Sequence, residues 1–278
     1  MVTMTDMEIA IIILSALALL FVLYALAVRG RTGHKGLAPL RGWAYAHRGL
    51  HGEGIPENSL AAFRLALEAG YGIELDIHLM ADGTLAVIHD ASLLRTAGVD
   101  VKIEDLKAED LSRYTLEGTT ERIPTFDEVL QLYDGKAPLI VELKAEKGNH
   151  AALCRAVCHR MERYEGVYCL ESFDPRCVLW LKKNRPKIIR GQLSDNYMRN
   201  TRSSLPFFLK FILTHHLENF VVRPDFVAYR FAERKNLSNA LARKLWRMQG
   251  VTWTIKTQAD YDQAVKEGWL PIFEGFRP

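Results

Sequence analysis

The chain has 278 residues, of which 49% are hydrophobic and 25% are charged, and its formal net charge is +3. These values are ordinary for a globular protein and permit one large domain or two small ones. The small charge, with Lys and Arg dispersed along the chain, argues against a nucleic-acid partner. The four cysteines lie within residues 154–177 and match no zinc spacing, so we expect buried free thiols and no disulfide framework.

The N-terminal region contains a long apolar run. A short tail, residues 1–8, precedes twenty uncharged residues, Ile9–Val28. As a helix this run would be roughly 30 Å long, the thickness of the hydrocarbon layer, and it predicts one transmembrane anchor. Residues 29–42 form a juxtamembrane linker that contains four Lys or Arg residues, whereas Asp6 and Glu8 precede the run. This asymmetry predicts a single-pass membrane protein whose downstream part is cytoplasmic.

Two other interpretations of this run are a secretory signal peptide and a buried globular helix. A secretory signal peptide would need a basic start and an apolar core of roughly 7–15 residues, although Ala25-Leu26-Ala27 resembles a cleavage site. A buried globular helix would be unusual with twenty uncharged residues at the N-terminus. A retained anchor is favoured.

Residues 43–278 alternate short apolar or β-branched runs with longer helical patterns. The predicted strands are Ala44–Arg48, Gly72–Leu79, Leu85–His89, Leu139–Lys144, Val167–Phe173, Ile188–Leu193, Phe226–Tyr229 and Val251–Ile255. Alternation of this kind indicates parallel strands joined by crossover helices, and eight strands in this length predict an α/β fold, a closed (β/α)8 TIM-type barrel. An open doubly wound sheet is the alternative, but its Gly-rich phosphate-binding fingerprint is absent from the sequence.

Charged residues cluster at the ends of four successive predicted strands. They are His47 and Arg48, then Glu74 and Asp76, then His89 and Asp90, then Glu142 and Lys144. Because side chains alternate across a strand, Glu74 and Asp76 share one face, as do Glu142 and Lys144. Charges aimed into a barrel are costly unless they bind or pair, so the cluster predicts a catalytic site. A buried salt-bridge network is the structural alternative.

Oxygen-rich sites of this kind select hard divalent cations such as Mg²⁺ or Ca²⁺. His78 shares the face of Glu74 and Asp76 and is either a metal ligand, a residue behind the ligands, or a partly exposed histidine at the strand end. The last interpretation is favoured. Glu57 is a candidate to orient Arg48 or to stabilise the start of the first helix of the barrel.

The motifs together resemble the glycerophosphodiester phosphodiesterase family, in its bacterial type with an N-terminal membrane anchor. They are His47-Arg48-Gly49, Pro56-Glu57-Asn58-Ser59, Glu74-x-Asp76, Asp82-Gly83, His89-Asp90, Glu142-x-Lys144, Ser172-Phe173 and Trp253-Thr254. Each motif is weak alone, whereas the ordered set spans nearly all of the chain after residue 43. Two departures concern the rim: Lys256 stands where the family commonly has Asn, and the C-terminal ending is replaced by residues 269–276.

The resemblance implies metal-dependent hydrolysis of a small glycerophosphodiester to an alcohol and glycerol 3-phosphate, in phospholipid metabolism. It implies a barrel with a single divalent cation held by Glu74, Asp76 and Glu142, with His47 and His89 as general acid and base. Arg48 and Lys144 would hold the phosphate, and Trp253 would line the pocket for the alcohol. The alternatives are a phospholipase C-like enzyme that forms a cyclic phosphate and an inert membrane-tethered binding barrel.

Residues 199–224 form a long connection that contains the apolar stretch 205–213. We expect a short helix on the active-site side of the barrel, since the connection follows a strand. It either caps the barrel mouth, dips into the bilayer surface, or packs against the barrel in the ordinary way.

Overall fold

The structure, a computed structural model, describes residues 5–201 and 203–278. Within that part of the chain nine strands occur: β1 (Tyr45–His47), β2 (Gly72–Leu79), β3 (Leu85–Val87), β4 (Leu139–Leu143), β5 (Tyr168–Ser172), β6 (Arg190–Ser194), β7 (Phe226–Arg230), β8 (Gln249–Ile255) and β9 (Trp269–Phe273). Eight of them pair in parallel in the order β1-β2-β4-β5-β6-β7-β8-β9, and β9 returns to β1. The predicted eight-stranded parallel barrel is confirmed.

The set of strands that forms the barrel differs from the predicted set in two places. β3 is a short antiparallel addition to the end of β2, with Ile77 opposite Val87, and is not part of the closed barrel. The eighth barrel strand is β9, which the sequence analysis treated as an altered C-terminal ending. Pro271 lies in β9 and lacks the N–H that a ladder uses, so the segment does not read as a strand. All five residues of β9 are nevertheless buried.

Ten helices flank the strands in the described residues. They are α1 (Asp6–Val28), α2 (Leu60–Glu68), α3 (Leu94–Ala97), α4 (Phe126–Tyr133), α5 (His150–Met161), α6 (Pro175–Asn184), α7 (Phe207–Thr214), α8 (Asn219–Val222), α9 (Leu237–Ala240) and α10 (Gln258–Lys266). Short 3-10 helices lie at 35–40, 103–105, 108–113 and 231–233, and a π-helical segment lies at 241–245.

Helix α1 begins three residues before the predicted span, because the Thr5 side chain accepts a hydrogen bond from the Glu8 amide and the Glu8 carboxylate reaches back to Thr5. Its mean hydropathy reaches 2.9, and its length and composition suit a membrane span; a signal sequence passes the same test. Of the predicted tail 1–8, residues 1–4 lie outside the described part of the chain.

The last turn of α1 packs against the barrel domain. Ala25 and Val28 are buried among Val227, Leu241 and Met248. The Trp246 indole donates to the Ala25 carbonyl at 2.7 Å, and the Asn219 amide donates to the Val28 carbonyl at 2.9 Å. The end of α1 is therefore part of the folded domain.

The linker after α1 closes the end of the barrel at which the strands begin. Arg31 forms an ion pair with Asp225, the residue before β7. Leu37 and Leu40 are buried with Tyr45 and Phe226. The opposite end, where the strands finish, holds the charged side chains.

Candidate active site

Three acidic side chains converge where β2 and β4 end. Glu74 and Asp76 lie two residues apart on β2, and Asp76 is the register partner of Glu142 on β4. All three are buried, and one carboxylate oxygen from each lies within 4.8 Å of the others. The alternation that the sequence predicts therefore does bring the three acids to one point.

Two cations lie against these acids. Lys144 Nζ is 2.8 Å from Glu142 Oε1 and 3.1 Å from Asp76 Oδ1. Arg48 Nε is 3.3 Å from Asp76 Oδ2, and its backbone N–H donates to Glu74. Burial opposes ionisation of Asp76, but the charge of Lys144 holds the pKa of this carboxyl well below its usual range. Asp76 is thus the acid that stays ionised.

Glu171 is a fourth buried acid of the site, and the sequence analysis missed it. It lies on β5 as the register partner of Glu142, and it lines one cavity together with Glu74 and Glu142. Its Oε2 atom has no hydrogen-bond partner among the described residues. Burial, and then the charge of Glu142, raises its pKa well above the usual value. The predicted strand Val167–Phe173 offered the signal, because Glu171 there shares a face with the inward residue Cys169.

The buried acids of the site outnumber its cationic side chains, so protons neutralise part of the excess when no further cation is bound. Burial, and then repulsion by Asp76, raises the pKa of Glu74 well above its usual value, and burial also raises the pKa of Glu142. Four buried carboxylates therefore face two cationic side chains. Carboxylate oxygens crowded in this way are the donors that Mg²⁺ and Ca²⁺ prefer, and the cluster could hold such an ion.

His47, the last residue of β1, is held by an acid from the far end of the chain. Its Nδ1 lies 2.6 Å from Glu274 Oε2, and Glu274 in turn pairs with Lys256 at 3.1 Å. The hydrogen bond with His47 lowers the pKa of Glu274 to about 2. Because the carboxylate accepts, the His47 Nδ1 carries the proton. Lys256 is one of the departures from the family pattern, and no role for Glu274 is predicted from the sequence.

His89 has the same kind of partner. Its Nδ1 lies 2.6 Å from Asp90 Oδ1, and Asp90 is held by Arg95. Arg95 also binds Glu57, whose Oε1 accepts from Arg48 Nη1 at 2.9 Å. The expectation that Glu57 orients Arg48 agrees with this contact. Burial lowers the pKa of His89 to about 4, so this imidazole is neutral at pH 7.

His78 does not have the environment that the sequence analysis favoured. The residue is almost completely buried, not partly exposed. Its Nδ1 lies 2.5 Å from Glu104 Oε1, and its Nε2 lies 3.1 Å from the His89 carbonyl oxygen. Both ring nitrogens therefore have protein partners. His78 fixes the segment that carries His89 and is not in the acid cluster.

A cavity of about 350 Å³ opens at this end of the barrel. It is lined by His47, Arg48, Glu74, His89, Glu142, Glu171, Phe173, Leu193, Asp195, Tyr197, Asn200, Arg230, Trp253 and Ile272. Trp253 makes an edge contact with Phe173, with ring centroids 5.6 Å apart, and the Arg230 guanidinium lies over the Trp253 ring. A larger cavity of about 590 Å³ lies between residues 234–244 and 267–269, but Glu267, its one acidic lining residue, is paired with Arg234.

A parallel barrel with acids, two carboxylate-bound imidazoles and two cations at its strand ends has the architecture of a phosphate-ester hydrolase of the TIM-barrel class. The sequence profile of the glycerophosphoryl diester phosphodiesterase family matches residues 47–273. The chain belongs to this family.

Similar proteins agree with this assignment. The chain is 33% identical over 160 residues to a glycerophosphodiester phosphodiesterase of Caldanaerobacter subterraneus, covering 53% of this chain and 65% of that protein. It is 38% identical over 155 residues to one of Bacillus altitudinis, covering 52% and 63%. The matched region thus spans less than two thirds of either relative. A phosphodiesterase of Oleispira antarctica, solved with the product sn-glycerol-3-phosphate, shares the fold at 21% identity, with a TM-score of 0.68 and coverage of 84% and 92%.

Proposed function

We propose that this chain hydrolyses glycerophosphodiesters to an alcohol and glycerol 3-phosphate. One divalent cation, Mg²⁺ or Ca²⁺, is held by Glu74, Asp76 and Glu142. The observation that carries the proposal is the pair of imidazoles, each with Nδ1 2.6 Å from a carboxylate, at a cavity whose other charged groups suit a phosphate and a cation. When bound, the cation would draw charge from the non-bridging phosphate oxygens.

Arg48 and Lys144 bind the phosphate in this proposal. Both cationic groups lie within 3.3 Å of carboxylates of the cluster, beside the place that the phosphate would take. A phosphodiester is an anion that repels nucleophiles, so fixed positive charge near its oxygens lowers the barrier where negative charge accumulates. Trp253 and Phe173 receive the carbon skeleton of the alcohol.

His47 and His89 carry the protons. With Nδ1 donating to a carboxylate, each ring presents Nε2 as the atom that takes or gives a proton. One imidazole removes the proton of the attacking hydroxyl, and the other protonates the departing alkoxide. The attacking hydroxyl belongs to water or to the substrate itself, and the second case gives a cyclic phosphate, as in a phospholipase C-like reaction. Because every predicted catalytic residue is present, an inert binding barrel is disfavoured.

Helix α1 is a retained, single-pass membrane anchor with the barrel on the cytoplasmic side. Packing of Ala25 and Val28 against the barrel supports retention, because cleavage after Ala27 would remove the buried Ala25 and the Tyr24 hydroxyl that bonds to Ser238. The remainder of the helix is apolar on all sides and exposed, so it needs a nonpolar solvent around it. The basic residues after Val28 support the cytoplasmic topology.

The reaction is tested with the full chain in detergent micelles, with glycerophosphocholine as substrate and Mg²⁺ or Ca²⁺ added. Release of choline together with glycerol 3-phosphate is the expected result, followed by enzymatic choline assay and phosphorus NMR. Phosphocholine as the product would show cleavage of the other ester bond, and a cyclic phosphate that accumulates would favour the phospholipase C-like alternative. Turnover that persists in excess chelator would refute the metal site.

A further inference from the structure

Exposed apolar side chains are concentrated on one side of the barrel mouth. Phe207, Phe208 and Phe211 of α7 are 71%, 60% and 44% exposed, and Met198 and Leu237 are 41% and 53% exposed. Helix α7 begins seven residues after Asn200, which lines the catalytic cavity. Exposed aromatic residues grouped in this way mark a surface that meets a partner.

Helix α1 leaves the domain beside this group. The Tyr24 ring meets the His215 ring edge-on with centroids 6.4 Å apart, and His215 lies 4.6 Å from the Phe211 ring. The Tyr24 hydroxyl bonds to Ser238 of α9 at 2.8 Å. The exposed part of α1 therefore starts between α7 and α9.

The direction of α1 relative to the barrel follows from the heights along the barrel at which Val28 and Tyr24 contact the domain. Its last residue, Val28, lies where the strands begin, because Asn219 binds its carbonyl and Gly30 donates to Met248, the residue before β8. Tyr24 lies toward the level where the strands end. Its neighbour His215 follows Leu213, whose carbonyl accepts a hydrogen bond from Ser194 at 2.6 Å. Ser194 is the last residue of β6, so this segment is held near the strand ends.

A helix that rises from the strand starts toward the strand ends continues past the mouth. From Tyr24 back to Asp6 it extends for roughly 27 Å at 1.5 Å per residue. A bilayer crossed by that segment lies on the mouth side of the barrel, level with the phenylalanines of α7.

We propose that the mouth of the barrel faces the bilayer, with α7 seated in the membrane interface beside α1. This inference rests on the proposed membrane anchor. Phenylalanine side chains are favoured at the boundary between head groups and acyl chains, whereas they gain nothing from exposure to water. In this orientation the catalytic cavity receives phosphodiesters from the membrane surface, and α7 forms the membrane-facing rim of the entrance.

The orientation is tested with full chain reconstituted in vesicles of phosphatidylcholine with one-fifth phosphatidylglycerol. A fluorescent thiol label is placed on Phe208→Cys, with Phe211→Cys as a second position and Phe220→Cys as the matched control. Phe220 is equally exposed, at 60%, but lies on α8 at the end where the strands begin. The four native cysteines are buried, so the label reacts with the introduced thiol.

Quenching by lipids that carry a nitroxide on the acyl chain should be at least about threefold stronger for the labels on α7 than for the Phe220→Cys label. Stronger quenching at Phe220→Cys, equal quenching at both ends, or no quenching at either would overturn the proposed orientation. Extraction at alkaline pH tests the anchor separately. A chain that washes off the vesicles refutes the anchor and the orientation together, whereas a chain that stays while the labels disagree refutes the orientation alone.

Discussion

At the scale of single residues, the two histidines of the site share one arrangement. Each imidazole has a carboxylate 2.6 Å from Nδ1, from Glu274 for His47 and from Asp90 for His89. A carboxylate in this position fixes the tautomer and steadies the imidazolium that forms during turnover. Each histidine is therefore prepared to exchange a proton through Nε2.

Replacing either histidine should reduce turnover without removing the metal. His47→Ala and His89→Ala should each lower kcat by roughly 10²–10⁴-fold, the usual contribution of a positioned acid or base. A substrate with a nitrophenolate leaving group needs no protonation, so the variant that lacks the general acid should recover much of its rate on it. Steady-state rates on both substrates identify the acid. Near-normal turnover of glycerophosphodiesters in both variants would refute the mechanism.

Glu274→Gln tests the partner of His47. The charged carboxylate favours the imidazolium, so its loss should lower the pKa of His47, which burial already holds below the usual value. The limb of the pH profile that His47 controls should move to lower pH. This is the acidic limb if His47 is the base and the basic limb if it is the acid. The amide introduced at position 274 can also donate a hydrogen bond to His47 Nδ1, which favours the tautomer with its proton on Nε2. We therefore expect kcat to fall by roughly 10²-fold or more.

Lys256→Met is the matched control for this change, because it removes the other partner of Glu274 and leaves the bond to His47 in place. The pH profile of kcat/KM, measured for both variants, separates the two roles. A loss of rate in Glu274→Gln with no movement of either limb would mean that Glu274 supports the fold of the rim and does not act on His47.

At the scale of elements, β2 and β4 hold like charges together at a cost in stability. Glu74, Asp76 and Glu142 lie side by side because two adjacent parallel strands present their inward faces at the same height. Lys144 and Arg48 offset part of the repulsion, while burial, and then repulsion by Asp76, raises the pKa of Glu74 well above its usual value. If a cation binds there, as proposed, it would relieve the cost of keeping these carboxyls buried side by side.

Glu74→Gln should therefore change stability in opposite directions with and without metal. In chelator the variant should be at least as stable as the unmodified protein, because the neutral amide replaces a buried carboxyl whose charged form is disfavoured there. With cation at about 100 times its Kd, the unmodified protein should gain about 2.7 kcal/mol, seen as a rise in Tm on the order of 5 °C, and the variant should gain little. Thermal unfolding with and without Mg²⁺ or Ca²⁺ checks this. An equal rise in both proteins would place the ion elsewhere.

At the scale of the whole molecule, the last turn of the N-terminal helix is folded together with the barrel. The last turn of α1 buries Val28 and satisfies the buried amide of Asn219. The linker then closes the end where the strands begin, while the candidate catalytic groups occupy the other end. Removal of the exposed apolar part of α1 without damage to the domain therefore needs a cut before Tyr24.

Two truncations test this boundary. Deletion of residues 1–22 should give a soluble protein that turns over glycerophosphocholine at the rate of the full chain. Deletion of 1–28 should cost about 3 kcal/mol through the lost Val28 packing and the unpaired Asn219, and lower Tm by about 6 °C. Calorimetry and initial rates measure both effects. Equal stability of the two truncated proteins would show that the last turn does not contribute to the domain.

The sequence by itself determined much of the barrel and most of the candidate site. Alternation of strand and helix patterns predicted the fold, and the two-residue period of a strand put Glu74 and Asp76 on one face. The motifs at the strand ends identified both histidines, Arg48 and Lys144, because each motif is short and continuous in the chain. Such signals depend on neighbouring residues and are readable without coordinates.

The tertiary structure alone decided which distant groups meet. His47 and Glu274 are separated by 227 residues, and nothing local in either segment indicates their contact. β9 became a barrel strand despite Pro271 because closure of the sheet buries all five of its residues, and burial outweighs local propensity. His78 became buried for a similar reason, since Glu104 from a loop 26 residues away binds it. The period of the sequence pattern indicates on which face of a strand a side chain lies, whereas tertiary packing determines which residues that face contacts.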